Sequence, residues 1–178
     1  MEKINSFRGE NYFLSNFFPC KVTVDGIPYG SAEAAFQAQK CATREEMVKF
    51  SKMSASEAKK AGRQVCLCFN WESVKYNRMR KVVKAKFEQN PELAKKLLAT
   101  GDAYLEEGNT WGDRVWGTVN GQGSNNLGKI LMDTRDMLRA NSETPNSGAE
   151  EVSAISEANS TDEAANIFNL LANFGKEE

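Results

Sequence analysis

The sequence predicts an α+β domain, with several helices around a small antiparallel sheet. Three observations point there: one strand–turn–strand signal lies between residues 20 and 29, helical spacing with capping residues recurs from residue 31 onward, and strand signal elsewhere is scarce. The 178 residues suffice for one full hydrophobic core and an appendage, not for two full domains.

The hairpin comes first. Lys21-Val22-Thr23-Val24 alternates, Asp25-Gly26 is a turn signal, and Ile27-Pro28-Tyr29 resumes an extended path. Ser31 then caps a helix over 31–40, on which Glu33, Phe36, Gln37 and Lys40 fall at i, i+3, i+4 and i+7 and share one stripe. A stripe that is half ionisable suits the wall of an active site. It equally suits a helix whose dipole is met by Glu33 in the first turn and Lys40 near the last. Further helices are predicted over 43–50, 54–63 with Ser54 or Ser56 as cap, 71–89, 91–100 with Pro91 at its start, and 125–140. They complete a domain over residues 1–140.

Charge is unevenly placed along the chain. Residues 143–178 hold eight acidic side chains against Lys176, a net −7 that leaves +6 for the rest. Residues 141–160, rich in Ser, Asn, Glu and Ala, cannot repay their ordering entropy by burial, which predicts a disordered linker. In the acidic tail, 161–178, a capping box at Ser160-Thr161-Asp162-Glu163 precedes Ala164, Ile167, Phe168, Leu171 and Phe174 at helical spacing. A short amphipathic helix is predicted there, with a partner protein's groove as one docking place.

The chain contains no histidine, which excludes Ser-His-Asp and Cys-His catalysis and His-ligated zinc. Catalysis falls to Asp, Glu, Lys, Tyr or Cys. The start, Met1 to Arg8, has no apolar segment of a secretory signal, and no run approaches a membrane span, so a cytoplasmic location is the expectation. The cysteines Cys20, Cys41, Cys66 and Cys68 are then expected as free thiols, and no metal site is assigned.

Besides the helix over 31–40, three segments hold chemistry-bearing residues. Between Phe7 and Phe18, Arg8 and Asn16 sit among aromatics, where Arg8 can clamp a phosphate and Asn16 can read a sugar or base edge; a hydrophobic first strand with a Ser-Asn turn is the plainer reading. Asn70-Trp71 opens a helix with Lys75, Arg78, Arg80, Lys81, Lys84 and Lys86, so the indole can stack on a base while the basic residues form a solvated face. Thr110 to Gly128 combines Trp111, Asp113, Trp116 and several glycines ahead of the last helix, whose end can hold a phosphate. A tight turn packed by its own Trp side chains fits the same residues.

Taken in order, Ser15-Asn16-Phe17, Val24-Asp25-Gly26, Tyr29-Gly30-Ser31-Ala32-Glu33, Phe36-Gln37-Ala38-Gln39-Lys40, Ala61-Gly62-Arg63, Asn70-Trp71, Lys86-Phe87, Trp111-Gly112-Asp113, Asn126-Leu127-Gly128 and Leu131-Met132 resemble the NADAR superfamily, which includes the YbiA-like N-glycosidases. The resemblance covers about residues 5–140. It implies a compact α+β fold and a pocket for a ribose joined to a nitrogenous base; no cofactor is assigned. Carried onto matching positions it implies Glu33, Lys40, Trp71 and Asp113 in that pocket, with Arg8, Asn16 and Trp111 around it. One departure is Ala34, where many relatives have His.

That resemblance implies hydrolysis of a ribosyl C–N bond through an oxocarbenium-like transition state, with Glu33, Lys40 and Asp113 catalytic and Arg8, Asn16, Trp71 and Trp111 binding the substrate. Glu33 or Asp113 stabilises the cation while the other assists proton transfer. Lys40 acts as a cation toward ribose or phosphate, or as a Schiff-base nucleophile. Phosphorylated ribosylamino-pyrimidine intermediates of riboflavin biosynthesis are the first substrate class. ADP-ribose on guanine in nucleic acid is the second, and a non-catalytic module binding NAD or ADP-ribose is the alternative from another class.

Overall fold

The computed structural model describes residues 2–143. The predicted linker over 141–160 and tail helix over 161–178 lie, beyond residue 143, outside the described residues. Residues Met1–Ala140 cluster as one compact unit.

The hairpin forms as its sequence dictates. Strands β1 (Pro19–Val24) and β2 (Ile27–Ser31) pair antiparallel with Val24 opposite Ile27 and Val22 opposite Tyr29. Asp25 and Gly26 take φ of 52° and 73°, the left-handed pair that a two-residue hairpin turn requires. Val22, Val24, Ile27 and Tyr29 face the core.

Helix α1 (Ala32–Ala38) follows at once, and every one of its residues is buried. Ser31 Oγ caps it by accepting from Ala34 N at 3.1 Å. Its alanines let neighbours come close, which is how a short helix becomes the centre of the molecule. Against it pack α2 (Arg44–Lys49), α3 (Ala55–Ala61) and α4 (Trp71–Glu88), while α5 (Pro91–Ala99) packs on α4 and α6 (Asn126–Glu143) closes the domain sequence. Ser54 opens α3 with a complete capping box, and Pro91 stands at the start of α5.

Two strand assignments depart from the sequence-based expectations. The segment from Phe7 to Phe18 is no strand; Gly9–Leu14 forms a 3₁₀ helix that buries Phe13 and Leu14. In addition, Lys3–Ile4 pairs in parallel with Tyr104–Leu105, a two-residue ladder whose members lie far apart in sequence. Strands so short carry no alternation to read.

The outer edge of β1 is covered by the end of α4. Gln89 Oε1 accepts from Thr23 N (2.7 Å) and its Nε2 donates to Thr23 O (2.8 Å), while Asn90 Nδ2 donates to Lys21 O (3.0 Å). Side-chain amides thus stand in for a third strand.

The basic residues of α4 are not one solvated face. Lys81 pairs with Asp25, Arg78 donates to Gln39 Oε1 at 3.0 Å, and Lys84 pairs with Glu88 at 3.6 Å. Lys86 is fully buried, donating to Phe13 O (2.6 Å) and Ser15 O (2.8 Å). It fastens the segment leading to Asn16. The four cysteines are free. Among the described residues no helix is long and apolar enough to cross a membrane.

Candidate active site

A cavity of about 670 Å³ opens between α1, the segment around Asn16, the start of α4 and the loop after Tyr104–Leu105. Arg8, Asn16, Glu33, Lys40, Trp71, Trp111 and Asp113 all line it, so the residues singled out from separate stretches of sequence meet in one place.

Glu33 sits in the first turn of α1 and is 6% exposed. Its backbone N donates to Asn16 O at 2.8 Å, locking the start of the helix to the Asn16 segment. Gln37, one turn on, donates Nε2 to Glu33 Oε1 at 2.8 Å. Burial pushes the Glu33 carboxyl above its ordinary value, against the Gln37 hydrogen bond and the charges of Lys59 and Lys40. Asn16 itself is buried, its Nδ2 3.2 Å from Met79 Sδ.

Lys40 lies just beyond the end of α1 rather than on it, because the helix stops at Ala38. It still reaches the cavity, and its Nζ donates to Gly62 O at 3.1 Å. Burial lowers its pKa, with the charges of Lys59 and Arg63 acting in the same direction and Glu33 opposing them. Its backbone O accepts from Cys68 N at 2.7 Å, which ties the approach to α4 against α1.

The three indoles differ in exposure, Trp71 buried, Trp116 partly buried and Trp111 exposed. Trp71, the first residue of α4, is buried and meets Phe36 at 5.5 Å between ring centroids, and Trp116 meets the same Phe36 edge-on at 5.3 Å. Trp111 is 53% exposed. The Arg8 guanidinium and the Lys59 ammonium lie 5.8 and 5.9 Å from its ring centroid, a cation–π arrangement.

Asp113 is held by its own loop. Its Oδ1 accepts from Val115 N (3.0 Å) and Trp116 N (2.9 Å), while Asn109 brackets its backbone at both N and O. The loop's glycines serve backbone packing: a Cβ on Gly117 would lie 2.1 Å from Glu107 O. The end of α6 is likewise taken, since Asn126 N and Leu127 N donate to Val115 O (3.3 Å) and Trp116 O (2.9 Å). Those two N–H groups of the first turn are therefore spent on the loop.

Several lining residues escaped the sequence reading, among them Lys59 and Glu107. Lys59 looks like one more surface lysine on a short helix. Glu107 had a faint signal, a pair of adjacent carboxylates just ahead of the Trp-Gly loop. Among the described residues there is no cluster of His, Cys, Asp and Glu that would hold a metal ion.

A model of the NADAR domain matches residues 5–139, nearly all of the compact unit. The chain belongs to the NADAR domain family. It is 43% identical to the N-glycosidase YbiA of Shigella boydii over 129 residues, which is 70% of this chain and 80% of that protein. A riboflavin biosynthesis protein of Vibrio vulnificus is 39% identical over 137 residues, 73% of this chain and 36% of the longer relative. The solution structure of Escherichia coli YbiA superposes with a TM-score of 0.73 at 37% identity, covering 83% of this chain and 91% of that one. The cavity therefore lies within the NADAR domain itself.

Proposed function

We infer that this NADAR domain is an N-glycosidase that hydrolyses the bond between a ribose carbon and the nitrogen of a base in a phosphorylated ribosylamino-pyrimidine, an intermediate of riboflavin biosynthesis. The observation that carries the reading is the meeting of Glu33, Lys40, Asp113 and two cavity-lining indoles, Trp71 and Trp111, in one cavity. The names of the N-glycosidase and riboflavin-biosynthesis relatives support the bond type and the substrate class.

As the C–N bond lengthens, positive charge develops on the ribose. The Glu33 carboxylate, oriented by Gln37, stabilises that charge and takes a proton from the attacking water. Asp113 keeps its second oxygen for the ribose, its first being committed to Val115 and Trp116. Trp111 or Trp71 stacks on the base, and Arg8 with Lys59 holds the phosphate. Burial shifts Lys40 in the direction of the neutral amine that the Schiff-base route requires.

A second reading, release of ADP-ribose from guanine in nucleic acid, is favoured by an open groove of about 610 Å³ beside the cavity, since Arg8 lines both and a longer substituent can run across it. Incubation of the full chain with ribosylated aminopyrimidine phosphates and with ADP-ribosylated guanine oligonucleotides, reading released base by chromatography, tests both readings. Release from the first set supports the primary reading and release from the second alone supports the other. Binding without release from either would mark a module that senses NAD or ADP-ribose. Borohydride added during turnover traps a covalent adduct at Lys40 on the Schiff-base route; no adduct leaves Lys40 as a cation toward the substrate.

A further inference from the structure

Glu106 and Glu107 are adjacent, directly after Tyr104–Leu105, and the structure gives them opposite fates. Glu106 is buried and committed: it pairs with Lys3 and accepts from Thr118 Oγ1 at 2.6 Å, contacts that hold its carboxyl below the usual carboxylate range. Glu107 lines the cavity with Glu33 and Asp113. Its backbone is clamped on both sides, N donating to Asn125 Oδ1 at 3.1 Å and O accepting from Thr118 N at 2.9 Å. Among the described residues no hydrogen bond or ion pair engages its carboxylate. A carboxyl on a fixed backbone, facing the cavity and tied to nothing, is available for chemistry.

We propose that Glu107 is the general acid of the reaction, giving its proton to the departing nitrogen of the base. The proposal rests on the N-glycosidase reading above. In the step, the C–N bond breaks with its electron pair going to nitrogen, and the Glu107 proton joins that pair, leaving Glu107 ionised. Water adds to the ribosyl cation and gives its proton to Glu33; proton exchange with solvent then restores both carboxyls.

The neighbours suit the role. The charges facing Glu107 are Asp113, Glu33 and Lys59; burial first, and then the Asp113 and Glu33 charges, push its carboxyl up to about 7 against Lys59. Near neutral pH a substantial fraction of the molecules thus carry the proton, and the fraction falls as pH rises through 7. Asp113, engaged by two loop amides, is a poorer candidate to donate one.

The test uses the full chain with Glu107→Gln and Glu107→Asp and a series of 5-phosphoribosyl N-glycosides whose bases differ in leaving ability. The expected result for Glu107→Gln is a kcat about 100-fold lower for the poorest leaving group and far less affected for the best, within the usual range of general-acid contributions. KM should change little, and the fall in rate as pH rises through 7 should vanish. Glu107→Asp, which keeps a carboxyl, should retain that limb at reduced rate. Cooperative melting at temperatures no lower than that of the wild type establishes that both variants fold. An unaltered kcat in Glu107→Gln, or a loss uniform across the series, overturns the role of Glu107 alone. Absence of any release by the wild-type chain overturns the N-glycosidase reading and this proposal with it.

Discussion

A Cβ built on Gly62 would lie 1.9 Å from Gln37 Oε1, so α3 ends against α1 at a distance that only hydrogen allows. The same residue's carbonyl accepts from Lys40 Nζ. Gly62 thereby sets the positions of two cavity residues from outside the cavity.

Gly62→Ala should displace Gln37 from Glu33 and loosen Lys40 together. The expected cost is about 1–3 kcal/mol of stability, as for other overpacked sites. Chemical denaturation measures it, and kcat should fall more than the stability loss accounts for.

Glu33→Gln should abolish turnover while making the fold sturdier. The wild-type carboxyl, raised by burial, binds its proton more tightly folded than unfolded, so stability falls as pH rises above its ordinary 4.5. An amide has no such loss. Melting curves of the two proteins should lie close at pH 4 and separate in the variant's favour toward neutral pH. Equal separation at all pH values would count against the buried-carboxylate account.

Lys86→Met probes the buried ammonium that holds Phe13 O and Ser15 O. Burial depresses the Lys86 pKa from 10.5 to about 8, so between those values the unfolded chain binds more protons than the folded one and stability from this group rises with pH. Wild type should therefore gain on Lys86→Met across that interval. Amide hydrogen exchange over residues 13–18 should quicken in the variant, because two carbonyls lose their donor.

Trp111→Ala separates binding from folding. With 53% of the residue exposed, its removal should change stability by about 0.5 kcal/mol or less. Loss of a stacked base should weaken substrate binding by about 1–3 kcal/mol, read as a raised KM or Kd. Trp71→Ala, which empties a buried site against Phe36, should instead lower stability first.

Much of this was legible in the sequence because it is local. Asp25-Gly26 fixes the turn, Ser31 and Ser54 cap their helices, and Pro91 starts α5, each through a contact spanning a few residues. The residues named for the site were legible through the family resemblance, and they do share a cavity. What was not legible depends on distance along the chain. The pairing of Lys3 with Tyr104, the burial of Lys86 beneath Phe13 and Ser15, and the placing of Glu107 in the cavity with Glu33 have no sequence period to announce them. Lys86 misleads in particular, since its neighbours on α4 do reach solvent.

The ladder between Lys3–Ile4 and Tyr104–Leu105 bears on how the molecule is made. As the chain leaves the ribosome, its first strand waits unpaired through the synthesis of α1 to α5, and the stretch bearing Glu106 and Glu107 is stitched in only afterwards. Arg8, Asn16, Glu33 and Lys40 are translated early and Glu107, Trp111 and Asp113 late. A nascent or truncated chain would own half a cavity, whose lining is complete only when the two ends of the domain close on each other.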